Sequence, residues 1–355
     1  EHLIDALAVR VVGDAYVGSD HVDDGFSVMS LRRAATDHPD AVRNVVERAG
    51  VSARDGLFAA AAGAFGGDGV FIHAGPSVVA PSAVAIDLRA GADGSVSFPA
   101  VAISAGEHAD VSVVVHLRSH ADADTIVVPQ LSALVGAGAR VSLSLVQNLG
   151  YSARSLGYLR SEVGADAGFQ FAEIGLGGRL ARLHLDVGLE GRGSSANVVG
   201  AYFGERHQTL DYRYFMRHIG TNTRSDMFLK GAVEDQARSV FTGMIRIEES
   251  GQKTEAFQTN RNLILSDGAS AQSVPNLEIL ANDVRCGHGS TVGPLDAEQR
   301  YYLMSRGLAP ERADRLQVRG FFEEALSKLP IPELAGPVSA WINRKYETAQ
   351  AEGRV

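Results

Sequence analysis

"DVSVVVHLRS" at residues 110–119 and "ARVSLSLVQN" at residues 139–148 decide how this chain folds. Both are runs of β-branched and apolar residues, which is the pattern of a strand. Similar runs recur in "DTIVVPQL" (124–131), "RLHLDVGLEG" (182–191), "SVFTGMIRIEES" (239–250) and "RNLILSDG" (261–268), separated by clusters of Gly, Asp, Ser and Asn. No helical period lies between them, so they cannot form βαβ units, and a barrel, a sandwich or a stacked solenoid remains. Two features favour the solenoid. The turns seldom carry the Asn-Gly or Asp-Gly pair of tight antiparallel hairpins. Many strand centres hold Ala, Val, Ser or Gly, which suits the narrow interior of a parallel β-helix. No hexapeptide or nonapeptide repeat is visible, so the reading rests on texture. We expect a mainly β fold with a parallel β-helix core over residues 70–293, an N-terminal mixed helical region over 1–69 and a C-terminal helical domain over 294–355.

Helix signals flank this body. In "HPDAVRNVVERAG" (38–50), Pro39 suits a first helical turn and Gly50 a left-handed C-terminal position. Ala41, Val42, Val45, Val46 and Ala49 fall on one face, a stripe that reads as core. Near the other end, Asp296 with Gln299 forms a capping-box pattern before "EQRYYLMSR", Gly307 stops that helix, and Pro310 opens "PERADRLQVRGFFEEALSKLP". A third helix, within "ELAGPVSAWINRKYETAQ", follows Pro332.

Composition narrows the function. At 355 residues the chain exceeds a typical compact domain, so it holds two or three units or one elongated repetitive one. The net charge of -9 argues against a nucleic-acid binder, which needs a concentrated basic surface. One cysteine excludes an intramolecular disulfide framework. No charged segment leads into an apolar one at the start, so a reducing cytoplasm is the expected compartment. The chain opens on Glu1 and not on methionine, so we expect an N-terminal piece ahead of it. The longest apolar stretch, "GLFAAAAGAF" (56–65), falls short of the roughly 20 residues that cross a bilayer, so no membrane span is expected. No Gly-Lys dipeptide occurs, which excludes a Walker A loop. "GAGAR" (136–140) and "GLGGRLARL" (175–183) lack the dinucleotide-binding spacing and read as turns.

The chemistry-bearing residues concentrate in "NDVRCGHGSTVG" (282–293). If this stretch is extended, Cys286 and His288 sit at i and i+2 and share one face, close enough to hold one metal. The bland alternative is a buried cysteine beside a turn histidine. Two ligands complete neither a structural zinc site nor a cluster, so further donors would have to come from another chain or from solvent. A cysteine nucleophile with a histidine base is the enzymatic alternative, but nothing nearby supplies an oxyanion hole or a third orienting group. His116 and His120 are spaced as a helical pair, yet they lie on a strand running into a turn, which separates them. His184 and Asp186 share a strand face, as ligands or as a solvated ladder. His218 precedes a polar turn, and its surroundings in sequence do not assign it a role.

"NLILSDGASAQSVPNLEILANDVRCGHGSTVGPLDAEQRYYLMSRGL" (262–308), with "RSDMFLKGAVEDQARSVFTGMIRI" and "QKTEAFQTNRNL" before it, closely resembles the terminal segment of the SufB/SufD family of iron-sulfur cluster assembly scaffolds. The CxHG element and the single cysteine resemble the SufD branch. The first third resembles the family only loosely. The resemblance implies a right-handed parallel β-helix, a non-catalytic cytoplasmic scaffold, a heterodimer with a SufB-like subunit, and docking of a SufC-type ABC ATPase. It also implies that His288 and Cys286 lie at the subunit junction, where a nascent iron-sulfur cluster is shared with the partner chain. Reduced flavin is a further cofactor to consider in the complex, and a homodimer is the alternative assembly for the isolated chain. Phe321, Phe322, Leu326 and Leu329 are expected to supply more apolar surface than a small helical appendage buries by itself, and the resemblance points that surface at the ATPase. The opposite expectation is that both phenylalanines pack inward. A β-helix hydrolase or a purely structural β-helix protein are the rival functions. The hydrolase would need paired carboxylates in one groove, and only Asp283 is near.

Overall fold

A computed structural model describes residue 4 and residues 6–352. Two sheets carry the fold. The first runs, in spatial order, through Ala15–Val17, Leu7–Val12, Val84–Arg89, Asp110–Arg118, Arg140–Asn148, Gly168–Gly175, Ser195–Gly204, Arg224–Val233, Thr254–Ile264 and Val284–Gly293. The second begins with Ser270–Ile279, Arg238–Ile247, Thr209–His218, Leu180–Leu189 and Arg154–Val163. It continues through Gln130–Val135, Ala100–Ala105, Gly69–Ala74, Phe26–Ser30 and His21–Asp23. From Val84 onward the chain alternates between the sheets, and each main strand pairs in parallel with the strand one coil before it. The result is a parallel β-solenoid of about eight turns, mainly β as expected, with helices at both ends of the sequence.

Register makes the interior a set of ladders with one rung per coil. Val113, Leu143, Phe171, Val198 and Met227 stand over one another on the first sheet, and all are fully buried. At one corner the coils turn through left-handed residues: His108, Gly138, Asp166, Gly193, Asn222 and Lys253 all have φ between 52° and 72°. Each follows a glycine by two positions (Gly106, Gly136, Gly164, Gly191, Gly220, Gly251) and precedes a buried Ala, Ser or Thr. The sequence therefore does hold a repeat of the form G-x-x-[AST], recurring about every thirty residues. Its uneven spacing conceals it from a search for a short fixed period.

The N-terminal segment is not separate from the solenoid, because Leu7–Val12 pairs in parallel with Val84–Arg89. The helix Pro39–Ala49 forms as expected, burying Ala49 and placing Val45 beside Phe71 and Met29. Val46 departs from the predicted stripe: it is exposed, since one residue turns a helix by about 100°. Gly50 also departs, with φ −71° and ψ 145° in place of a left-handed conformation. Glycine is needed there for close approach, because a Cβ would lie 2.2 Å from the Val46 carbonyl oxygen.

The helices Ala297–Ser305, Pro310–Leu326 and Ala335–Ala351 follow the solenoid. Asp296 caps the first by accepting from the N–H groups of Glu298 and Gln299, while its own N–H donates to Gln317 of the next helix at 3.0 Å. The cap is as expected, but the reciprocal bond comes from a neighbouring helix instead of Gln299. The two longer helices cover the outer face of the first sheet. Val318, Phe322, Ala325, Leu326, Leu329 and Ile342 close on Val146, Ile174, Ala201 and Phe228 in a second core. Lys345 fastens the last helix, donating to the Leu176 carbonyl at 2.6 Å and pairing with Glu205 at 2.5 Å. Among the described residues no helix is long and apolar enough to cross a membrane.

Candidate functional site

The Val113–Met227 ladder does not end at Met227. Its next rungs are Gln258, paired with Met227, and then His288, paired with Gln258 in the last strand. The neighbouring ladder passes from Ala196 through Ser225 and Ala256 to Cys286. Cys286 and His288 therefore share the interior-facing side of the terminal coil, and the parallel register brings together the pair that alternation predicted. Cys286 is half-buried, packs against the main core, and has its thiol pKa raised by that burial. His288 is exposed.

Among the described residues no further coil covers this pair. Val284–Gly293 and Ser270–Ile279 end the two sheets, each with one edge unpaired among the described strands. Ile279 and Val292 are exposed, although their counterparts one coil before, Ile247 and Asn262, are buried, and Val274, Leu280 and the nearby Phe257 are exposed as well. Gly289 and Gly293 have nothing within 4 Å of a Cβ, and Gly287 would meet Phe257 only at ordinary contact distance. This chain's own packing does not require glycine at those positions. Among the described residues no three His, Cys, Asp or Glu side chains converge as a metal site. The chain offers two donors of different softness at an open mouth.

The other histidines singled out in the sequence lie in different surroundings. His218 is fully buried, its ring nitrogens 2.8 Å from the hydroxyls of Thr223 and Ser225, and burial depresses its pKa to about 4. His116 lies against Trp341, with its pKa also lowered to about 4 mainly by burial. His120 lies beyond the strand in an exposed turn, so the two are apart as expected. His184 stacks on Phe215 while Asp186 pairs with Arg217, which makes that face a polar ladder.

Sequence reasoning missed the polar interior beneath the terminal coil. Gln258, Asn260 and Asn262 alternate along Thr254–Ile264 and all are buried. Tyr202 donates to Asn262 at 2.6 Å and accepts from Asn260 at 3.2 Å, and Asn262 donates to Asn260 at 2.7 Å. Three amides at i, i+2 and i+4 of a strand were the available signal.

The family model for the SUF system FeS cluster assembly SufBD core domain matches residues 88–321, which holds most of the solenoid. The chain belongs to the SufB/SufD family. Among its relatives, an iron-sulfur cluster assembly SufBD family protein of Mycobacterium tuberculosis is 36% identical over 199 residues, covering 54% of this chain and 50% of that protein. The protein named SufD of Bacillus subtilis is 28% identical over 92% of this chain and 75% of its own length. The SufD of Escherichia coli is 32% identical over 48% of this chain and 40% of its own. The chain thus spans about half the length of the mycobacterial relative it matches.

For the four apolar residues assigned to a partner surface, the structure separates one from three. Phe322, Leu326 and Leu329 are buried in the second core, so the surplus apolar surface expected of them is covered by this chain's own sheet. Phe321 is half-buried, meets Phe322 edge-on, and lies 4.6 Å beneath the Lys230 ammonium. It also lines a groove of about 550 Å³ between the helices Ala297–Ser305 and Pro310–Leu326, together with Tyr302, Leu303 and Leu316. The exposed apolar residues here are Tyr301, Tyr302, Met304 and Leu316.

Proposed function

We propose that this chain is a SufD-type, non-catalytic scaffold subunit of a SUF assembly complex. Its open terminal coil pairs with a SufB-like subunit, and a nascent iron-sulfur cluster is built at the junction. The observation that carries this reading is the incomplete pair: Cys286 and His288 project from the interior face of a coil that no further strand covers among the described residues. A partner laid against the edges of Val284–Gly293 and Ser270–Ile279 would satisfy their free backbone groups, cover the exposed Val274, Ile279 and Val292, and bring the missing ligands. His288 supplies an imidazole donor, and Cys286 a thiolate once the junction has changed its surroundings. The cluster is cargo, so donors shared between two chains release it when the junction opens.

The SufC-type ATPase docks, in this reading, on the groove that holds Phe321, Tyr302 and Leu316. These residues combine exposed aromatic surface with a rim that includes Asp296 and Gln299. Phe322, Leu326 and Leu329 act behind it by fixing the helix to the sheet.

Co-expression with a SufB-like and a SufC-type subunit tests both contacts. We expect a stable ternary complex, loss of cluster loading but not of assembly in His288→Ala, and loss of the ATPase alone in Tyr302→Ser/Leu316→Asp. Normal cluster yield from His288→Ala removes the assignment of the site. Retention of the ATPase by the double variant places its contact elsewhere.

A further inference from the structure

We propose that Glu162 and Glu190 share one proton and so form a pH-sensitive clasp that ties the end of the helix Pro39–Ala49 to the outer face of the second sheet. The inference goes beyond the cluster reading and needs no partner subunit.

Glu162 stands on one outer ladder with Gly188 and Arg217 and is 3% exposed. Only one of its oxygens is used. Oε1 accepts from Arg217 at 2.8 Å and lies 3.4 Å from the Arg160 guanidinium. Oε2 is buried and has no hydrogen-bond partner among the described residues. It fills the space over Gly188, where a Cβ would fall 2.0 Å from it, so glycine keeps this position open. Two residues after Gly188, the Glu190 N–H donates to the Val163 carbonyl at 3.1 Å. That bond folds Glu190 back beside Glu162 and puts the two carboxyl groups within hydrogen-bonding reach. Two bare carboxylates so close repel, whereas one proton between them makes a hydrogen bond and gives Oε2 its partner.

The surrounding charges do not replace that proton. Arg217, from Thr209–His218, is divided between Glu162 and Asp186 of Leu180–Leu189, to which it donates at 2.7 Å. Arg160, on the strand of Glu162 itself, is at the limit of hydrogen bonding. Leu134, the rung on the other side in Gln130–Val135, is apolar. From the helix, Arg48 reaches Glu190 at 3.3 Å. Burial outweighs the pull of Arg217 and, with the Glu190 charge, raises the Glu162 carboxyl to about 7. With the proton in place, Glu190 is tied to the sheet through Glu162 and to the last helical turn through Arg48. When the proton leaves, Arg217 retains the buried Glu162, and repulsion drives the exposed Glu190 outward with Arg48. A carboxyl pKa raised by folding stabilises the closed clasp fully below the unfolded value of 4.5 and withdraws that contribution as pH rises through about 7. The clasp is closed in acid and loosened in base.

NMR of the full chain tests both parts. With ¹³C-labelled glutamate carboxyls, one glutamate should titrate near pH 7, and the backbone amide shifts of residues 47–50 should follow the same midpoint. Glu162→Gln keeps the shape and offers an N–H where the proton would sit. It should abolish this titration and hold the helix-end shifts at their low-pH values. Glu190→Gln removes the second charge and should lower the Glu162 midpoint by about one pH unit or more. Arg48→Ala should keep the glutamate titration and remove the response of the helix end. A wild-type chain with no glutamate titrating between about pH 6 and 8 overturns the proposal whatever any variant does. A midpoint near 7 that survives unchanged in Glu190→Gln shows that burial alone raises Glu162, and the shared proton falls. Helix-end shifts that ignore the midpoint in the wild type overturn the clasp.

Discussion

The two ends of the solenoid are finished in opposite ways. At the N-terminal end the sheets stop in antiparallel partners, with the three-residue strands Ala15–Val17 and His21–Asp23 outermost. Val11, Phe26, Val28 and Ile72 behind them are buried. At the C-terminal end two ten-residue strands stop in parallel register, their side chains half-buried or exposed. Short antiparallel strands leave little edge for another chain, whereas long parallel edges are templates for one. The difference separates an end whose edges this chain closes itself from an end whose long edges stay open, and the candidate ligands lie at the open end.

Matched substitutions at the two ends should give the largest contrast. Ile72→Ala removes a fully buried side chain behind the closed end and should destabilise the isolated chain by about 2–5 kcal/mol. Val292→Ala at the open end should stay within about 0.5 kcal/mol. Urea unfolding of the isolated chain checks both, and equal losses would show that the open end is packed in solution.

Histidines sharpen the contrast next. His218 is enclosed, and folding holds its pKa near 4 against the ordinary 6.5. A depressed histidine pKa means that the fold favours the neutral ring. Its contribution is complete above about pH 6.5 and is lost as pH falls towards 4, on the order of 3 kcal/mol if fully realised. His218→Gln should be less stable at pH 7 and should flatten this acid slope, read from urea midpoints across pH 4–7.

Glu173 belongs to the enclosed part as well. It is fully buried, its pKa is raised well above 4.5 by desolvation, and Tyr212 and Tyr214 are its near neighbours. A raised carboxyl pKa stabilises the fold most below the unfolded value and withdraws that stability as pH rises. Glu173→Gln should therefore gain on the wild type between pH 5 and pH 8 and lose the advantage near pH 4. A constant difference in melting temperature across that range would show that Glu173 does not titrate with folding.

The smallest effect is expected at Cys286. Cys286→Ala should change the stability of the isolated chain by less than about 1 kcal/mol. Because burial raises its pKa, the thiol should react with iodoacetamide more slowly than a free cysteine. Rapid alkylation would mean that the open end exposes Cys286 fully.

Much of this was legible because it is local. Alternation placed Cys286 and His288 on one face, and their spacing showed that two donors were too few. Asp296, Gly307 and Pro310 marked the helix ends through single-residue preferences. Gln258 was not legible as part of the site, because nothing in sequence says that it lies beneath a histidine thirty residues on. Phe322, Leu326 and Leu329 were misjudged for a related reason. Their apolar spacing shows that a face is buried but not what buries it, and the outer face of the first sheet proved large enough to do so.

The sequence by itself determined that strands follow one another without helices, that the chain holds one cysteine, and that its last strand carries an incomplete pair of donors. These follow from side-chain chemistry and from the period-two geometry of a strand, both properties of neighbours in sequence. Only the tertiary structure decided which residues stack. A ladder such as Val113–Leu143–Phe171–Val198–Met227–Gln258–His288 is set by the length of each coil and the register it imposes. Coil length is fixed by left-handed corners at uneven spacing, so contact between rungs is a property of the closed coils and not of any one segment.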